Sequence, residues 1–469
     1  MIIRLLITFT IILFSINFAQ AKLDIVYPSK KDVTINSDCT FFSGNTDNNS
    51  KVTINSKQVK LWENNFFVHV VPLEYGKNKI KIKSTKNGKT EELTYTIKRN
   101  KPSKWEKNKA KVNYEKNDEG VLCARIIKDN ATIRNGASTS FKRICDLQEG
   151  IILYLDGKQG DFYKIKESGN DEYWIHKNNL SEPIKMPEKL LSKVIGTKQY
   201  SDKNYDYQVF QLTNPLLYTI ERIGNKLKLV IYGIKGENNN NFEYIFEFDS
   251  EILGYDCYYE ENNLIFRKAK LQEINQNNLL EGINIFIDAG HGGKEKGTVG
   301  PSRIREKDIN LDIANKLIKL LEEDGVNVSY SRNSDIHIEL YDRVKLAKEN
   351  NALISLSIHS NSLPYGKNPY TQHGTETHYY NENSRLLAEI ITKNLANDLN
   401  IKNNGTKKSS FALTRSTNPV SVLVEVAYMI NPEEYILLKD EKFRTNVAKS
   451  IKNSLKEYVL YLSNKRNMI

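Results

Sequence analysis

The chain is poor in residues that would announce a thiolate metal site or a redox centre. It has four cysteines, Cys39, Cys123, Cys145 and Cys257, and none forms a CxxC pair. A zinc site built on cysteines is thereby excluded. Cys123 and Cys145 fall in one candidate domain, where they form either a disulfide or two free thiols. No HExxH motif occurs. Long apolar runs are scarce too. The one from Leu5 to Phe18 is interrupted by Thr8, Thr10, Ser15 and Asn17, and it is short for a bilayer span of ~20 residues. Arg4 precedes it and Ala19-Gln20-Ala21 follows it, so it reads as a secretory signal peptide cleaved after Ala21. No cysteine directly follows to carry a lipid, and no later segment is apolar enough to span a bilayer. An exported protein is expected, in the periplasm or the cell wall and its surroundings, with no stable membrane span after cleavage.

Charged residues make up 27% of the chain and hydrophobic ones 39%, the balance of soluble globular domains rather than of disorder or a membrane bundle. The net charge is +11. An exported protein meets anionic wall polymers or lipid headgroups rather than nucleic acid. Because lysines and acidic residues are interspersed almost everywhere, simple solubility accounts for the excess equally well. At 469 residues, and with domains of ~100–200 residues as the norm, three or four domains are expected.

After the signal peptide (1–21), residues 22–99 read as short strands, among them Phe66 to Leu73 and Ile80 to Lys83. Turn signals at Gly44-Asn45, Tyr75-Gly76 and Asn87-Gly88 fall between them. A small β-sandwich is expected. Ser50-Lys51-Val52-Thr53-Ile54-Asn55, with Val71-Pro72-Leu73 and Gly76-Lys77-Asn78, resembles bacterial immunoglobulin-like (Ig-like) modules. Residues 100–118 are lysine-rich and polar, a linker. Residues 119–185 are again β-like. Ala131 to Ser138 resembles the opening loop of bacterial SH3-like domains, and Phe162 to Ile165 with Tyr173-Trp174-Ile175 fits their closing strands, so an SH3-like β-barrel is expected. Trp174 reads as a core aromatic rather than a ligand platform. Residues 186–272 hold further strands in a β-rich module, a possible wall anchor, and 273–282 form a polar linker.

From 283 to 469 the pattern changes to alternating strands and helices. Ile283 to Ile287, Val326 to Tyr330, Leu353 to Ile358 and Val420 to Val424 are apolar strands. Ile309, Ile313, Leu317 and Leu321 recur every four residues on one helix face. Further helices are marked by Leu340, Val344 and Ala347, by Leu386, Ile390 and Leu395, and by Phe443 to Tyr461. The expected fold is an α/β domain with a mostly parallel sheet flanked by helices.

Four candidate chemical groups lie at corresponding places in that pattern. His291 follows the first strand, His359 follows Leu353–Ile358, Glu425 follows Val420–Val424, and Glu306 opens the first helix. Strand C-termini and helix N-termini share one edge of a parallel sheet, so these residues can converge. Two imidazoles and a carboxylate are a common zinc set that leaves a fourth position for water. A second, unligated carboxylate is then needed to move protons, and Glu425 fits that need.

The segments IDAGHGG (287–293), REKDINLDIA (305–314), SRNSD (331–335), SIHSN (357–361), GTETHYY (374–380), FALTR (411–415) and LVEVAYMINPEE (423–434) resemble, in order and spacing, the zinc-dependent N-acetylmuramoyl-L-alanine amidases of the amidase 3 type. The resemblance implies a six-stranded sheet, zinc held by His291, Glu306 and His359, and Glu425 as the catalytic carboxylate. It implies peptidoglycan as substrate, cut between N-acetylmuramic acid and the L-alanine of its stem peptide. Only Asn381 to Ser384 separates the strand Glu376–Tyr380 from the next helix, so the regulatory insertion of some family members is absent and no activator of that kind is expected. The rival readings are an inactive wall-binding adaptor and a zinc peptidase acting within the stem peptide. Asn361 and Arg415 are candidates for binding substrate, and Asp288 for supporting the first metal loop. Arg332 and Arg343 are expected to pair with Asp335 or Asp342. His373 and His378 are expected not to bind the metal, and His69, His176 and His337 receive no role.

Overall fold

The structure, a computed structural model, describes residues 22–101, 114–116, 121–166, 172–186, 192–234, 241–248 and 251–467. The segment 1–21, expected to be a signal peptide, and most of the expected linker 100–118 lie outside the described residues. Among the described residues no helix is long and apolar enough to cross a membrane.

The upstream half is β-rich throughout. Residues 23–99 form a three-stranded and a five-stranded sheet, with Phe42, Phe67, Ile82 and Ile97 among the residues buried between them. An eight-stranded antiparallel sheet follows, running from Arg143–Leu147 at one end to Ile184–Met186 at the other. Residues 194–269 add a four-stranded and a three-stranded sheet. These two regions share one core: Ile133, Leu153 and Ile175 pack with Phe210, Leu216 and Leu229. One core thus runs from the eight-stranded sheet, whose last strand is Ile184–Met186, into residues 194–269. Trp174 is buried, as a core aromatic is. Cys123 and Cys145 are not joined by a disulfide. Their strands are not neighbours in the sheet: Val121–Arg125 pairs with Ile152–Gln159 and Ile184–Met186, whereas Arg143–Leu147 pairs with Ala131–Arg134.

Elements of the C-terminal domain are numbered from its first strand: β1 (Asn284–Ala289), α1 (Glu306–Glu323), β2 (Asn327–Tyr330), α2 (Leu340–Glu349), β3 (Ile354–Asn361), β4 (Thr375–Tyr379), α3 (Arg385–Leu399), β5 (Asn403–Lys408), β6 (Val420–Tyr428), α4 (Pro432–Lys439) and α5 (Glu441–Asn467). The six strands run in the order β2-β1-β3-β6-β4-β5. The sheet is mixed: β4 is antiparallel to β6, and the other pairings are parallel. Central strands are buried on both faces, because helices and loops cover both sides: Ile285, Phe286 and Ile287 of β1 are fully buried, and β3 alternates fully buried Ile354, Leu356 and Ile358 with buried Ser355 and Ser357. The four-residue spacing of α1 buries Ile309, Ile313, Leu317 and Leu321. Helix α5 packs against α1 and α3.

Two elements escape the apolar pattern. Strand β5 reads Asn-Asn-Gly-Thr-Lys-Lys and has no apolar residue; it exists through its backbone ladder to β4 at the sheet edge. Helix α4 is short, but its start is marked by Asn431, whose side chain accepts from Glu433 N and Glu434 N, and by Pro432 in the first turn. Strands β3 and β6 also run further than expected, so His359 and Glu425 lie within strands rather than after them.

The upstream sheets are docked on the C-terminal domain. Phe66 belongs to the C-terminal core and meets Tyr435 edge-on at 5.2 Å. Phe41 and Val68 pack with Tyr428 and Ile430, and Arg303 pairs with Asp24. On another side, buried Asp256 accepts from Arg267, Lys348 and Asn418. Truncation of Phe66 to alanine is expected to lower unfolding free energy by about 3–5 kcal/mol. Denaturant melts of the full chain, with proteolysis to detect release of the sandwich, measure this; an unchanged midpoint contradicts the docking.

Candidate metal centre

The loop that carries His291 begins where β1 ends. His291 adopts φ 61° and Gly292 φ 132°, and the left-handed histidine costs about 1–3 kcal/mol unless its surroundings hold it. They do. Arg343 donates to Ala289 O at 2.9 Å and to His291 O at 2.7 Å. Arg332 donates to Ala289 O at 2.9 Å and Gly290 O at 2.8 Å. Lys307 and Asp335 fasten Gly293 from its carbonyl and its N–H respectively. Gly290 is required sterically, since a Cβ there would lie 2.3 Å from His359 Nε2.

The expected partners of the two arginines need correction. Arg343 pairs with Asp288 at 2.6 Å, and Arg332 binds backbone carbonyls rather than a carboxylate. The reason is burial. Asp335 is half exposed and taken by Lys307, whereas Asp288 is fully buried and needs a buried cation. Ser357 Oγ donates to the other Asp288 oxygen at 2.6 Å. Burial opposes the charge on Asp288, yet Arg343 and the hydroxyls beside it hold its carboxyl below the usual aspartate range. Asp288 thus supports the loop through Arg343, which also grips His291 O.

Glu306 enters from the first turn of α1, where a carboxylate is favoured by the helix dipole. Its Oε1 lies 3.2 Å from His291 Nε2 and 3.0 Å from His359 Nδ1. Thr298 N donates to Oε2 at 2.8 Å. Burial would raise its pKa, but the two imidazoles dominate and hold the carboxyl well below the ordinary range. His291, Glu306 and His359 each offer one donor atom, and the three atoms lie within 4.8 Å of one another. Two imidazole nitrogens and one carboxylate oxygen converging at that spacing fit a divalent ion of borderline softness.

Glu425 reaches this cluster through strand register. On β6 it pairs with His359 of β3 on one side and with Glu376 of β4 on the other. Neighbouring strands lie ~4.8 Å apart, so the register alone puts the carboxylate beside the donors. The three donors and Glu425 line an open cleft of about 330 Å³. Glu425 Oε2 is buried and has no hydrogen-bond partner among the described residues. Burial, then the negative charges of Glu306 and Glu376, push its pKa well above the ordinary glutamate value.

The remaining candidates divide. Asn361 lines the cleft and donates to Glu376 Oε1 at 2.9 Å. Arg415 is not among the cleft-lining residues; it lies in a groove against the upstream sheets. His378 stands between Glu376 and Ser409, at 3.1 Å and 2.8 Å. His373 pairs with Glu434 at 2.8 Å, and His337 with Glu339. Glu376 is the residue that sequence reasoning placed on one strand face with His378 but gave no role. It is held by Asn361, His378 and Asn404. The available signal was the alternation Glu376, His378 in the strand segment GTETHYY, which puts both on one face.

A site at the strand ends with two imidazoles, one carboxylate whose pKa is held low and a separate one whose pKa is pushed up has the groups of a metal-assisted hydrolase. Residues 285–457 match the protein family described as N-acetylmuramoyl-L-alanine amidase. The uncharacterized protein YqiI of Bacillus subtilis is 36% identical over 183 residues, covering 38% of this chain and 86% of that protein. The N-acetylmuramoyl-L-alanine amidase LytC of Bacillus subtilis is 34% identical over 185 residues; the match spans 39% of this chain but only 36% of LytC. Among solved structures, the N-acetylmuramoyl-L-alanine amidase AmiC2 of Nostoc punctiforme is 34% identical, with 38% of this chain and 99% of that chain covered and a TM-score of 0.37. Through its C-terminal domain the chain belongs to the N-acetylmuramoyl-L-alanine amidase family.

Replacing Arg343 with methionine leaves Asp288 buried and unpaired, at a cost of about 3–5 kcal/mol. Because the folded Asp288 pKa is depressed, its contribution is present above the unfolded value of about 3.9 and fades as pH falls towards the folded value. Denaturation midpoints of wild type and variant should therefore differ at pH 7 and converge in acid; a pH-independent gap contradicts the assignment.

Proposed function

We propose that the chain is an exported peptidoglycan amidase that hydrolyses the bond between the lactyl group of N-acetylmuramic acid and the L-alanine of the stem peptide. The observation that carries this reading is the row His359–Glu425–Glu376, which puts an unpartnered carboxyl oxygen beside the metal-donor set. His291, Glu306 and His359 would hold zinc, which when bound polarises the scissile carbonyl and acidifies the attacking water. Glu425 Oε2 takes the proton of that water and returns it to the departing alanine amine. Its raised proton affinity suits both the uptake and the return, because burial and the neighbouring Glu306 and Glu376 charges disfavour its anion. Glu376 holds Asn361, whose side chain is available to the muropeptide at the cleft wall. Asp288, acting through Arg343, keeps His291 in its left-handed turn.

The upstream modules, read as an Ig-like sandwich (22–99), an SH3-like barrel (119–185) and a further β-rich unit (186–272), hold the enzyme on an insoluble substrate. The basic excess aids contact with anionic wall polymers. A signal peptide at 1–21 accounts for export, and the short Asn381–Ser384 connection leaves the site without an inserted gate.

Digestion of purified peptidoglycan, read by mass spectrometry, tests the reaction. Wild type is expected to release stem peptides bearing a free L-alanine amine and to leave peptide-free glycan. A chelator should abolish release and zinc restore it, while Glu425→Gln lowers the rate about 10²–10⁴-fold. Muramic acid that keeps its alanine would identify a peptidase. No cleavage by zinc-loaded, folded wild type would identify an adaptor.

A further inference from the structure

Between the upstream sheets and the C-terminal domain runs a groove of about 580 Å³, within the size range of small-ligand sites. Two guanidiniums line one end of it together, Arg143 from the eight-stranded sheet and Arg415 from the loop between β5 and β6. Arg134 stands opposite Arg143 in register on the neighbouring strand. Arg143 binds Asp146, and Arg415 Nε lies 4.0 Å from the same carboxylate. The remaining Arg415 nitrogens reach Ser410 O at 3.1 Å and Tyr341 Oη at 3.4 Å. Arg134 donates to Phe141 O at 2.8 Å. Among the described residues, Asp146 is the one carboxylate within ion-pair distance of Arg143 or Arg415. The side chains of Arg143 and Arg415 are only 18% and 15% exposed, so water screens the excess poorly. The repulsion is felt: burial first, then Arg143 and Arg415, lower the pKa of Arg134.

We propose that this groove binds a peptide bearing free carboxylates, with Arg143 of the upstream region and Arg415 of the C-terminal domain clasping one of them. A planar guanidinium fork matches a planar carboxylate, and Asp146 already occupies part of that fork. The other end is also cationic, with Arg267 and Lys348 sharing buried Asp256. Tyr341 and Tyr380 supply aromatic walls and hydroxyls. The groove is linked to the cleft: Ser410 adjoins Ser409, whose hydroxyl meets His378, which meets Glu376 opposite Glu425. That link favours a peptide of the substrate over a polymer phosphate. The inference rests on the reading of the cleft as an amidase, and it adds a substrate feature, the free carboxylates of the stem, recognised by a site that the C-terminal domain cannot complete alone.

Calorimetric titration of the full chain with the tripeptide L-Ala-γ-D-Glu-L-Lys tests this. Its diamidated form and glycerol 3-phosphate are the controls. The tripeptide is expected to bind about tenfold more tightly than the diamide, and Arg143→Gln and Arg415→Gln each to weaken it about tenfold, while Glu425→Gln does not. Asp146→Asn should tighten binding, because the resident carboxylate no longer competes. Equal binding of acid and amide overturns the proposal, as does weaker binding by a folded Asp146→Asn protein, which marks the cluster as an inter-domain ion pair only. Tighter binding of glycerol 3-phosphate than of the tripeptide overturns it in favour of a phosphate polymer. Wild type that frees stem peptides yet ignores the tripeptide sinks this inference alone; tripeptide binding without any peptidoglycan cleavage sinks the amidase reading alone.

Discussion

His359, Glu425 and Glu376 stand side by side on three neighbouring strands, and the backbone ladder between those strands sets their spacing. A one-residue slip would turn a side chain to the other face of the sheet. The register is protected by the core around it: Ile354, Leu356 and Ile358 of β3 and Val420 and Val424 of β6 are completely buried. The hydrophobic effect that folds the sheet therefore also aligns the chemistry. The remaining donors join from outside the row, Glu306 from the first turn of α1 and His291 from a loop clamped by two buried arginines.

Three carboxylates within one small region would repel one another if treated alike. Their surroundings separate them. Glu306 is held ionised by two imidazoles, and Glu376 by His378 and Asn404 against the effect of its own burial. Glu425 has neither kind of partner and faces both negative charges, so it keeps its proton to higher pH. Environments that drive pKa values apart fit the same chemical group for different tasks.

The α/β pattern and the convergence of His291, Glu306, His359 and Glu425 on one cleft were legible because buried strands and amphipathic helices leave strong periodic signals. The Gly-rich turn after β1 and the SIHSN segment also fall at strand ends, where sites form. Strand β5 was not legible: its six residues are polar, and only backbone pairing at a sheet edge makes it a strand. The Arg343–Asp288 pair was missed because sequence proximity suggested Asp335 or Asp342. Burial, which sequence spacing does not encode, decides such pairs. Arg415 was singled out, but its setting depends on Arg143, which is far away in the chain and brought near by the docking of the upstream sheets. The common core of residues 119–185 and 186–272 was likewise invisible to a reading made segment by segment.

The central claim, that His291, Glu306 and His359 hold one metal ion while Glu425 stays free to move protons, is tested most directly by anomalous X-ray diffraction at the zinc edge from crystals of the zinc-loaded chain. A single peak is expected about 2.0–2.2 Å from one donor atom of each of the three residues, with both Glu425 oxygens beyond bonding distance. A peak bonded to Glu425, or zinc bound elsewhere with this triad empty, would contradict it.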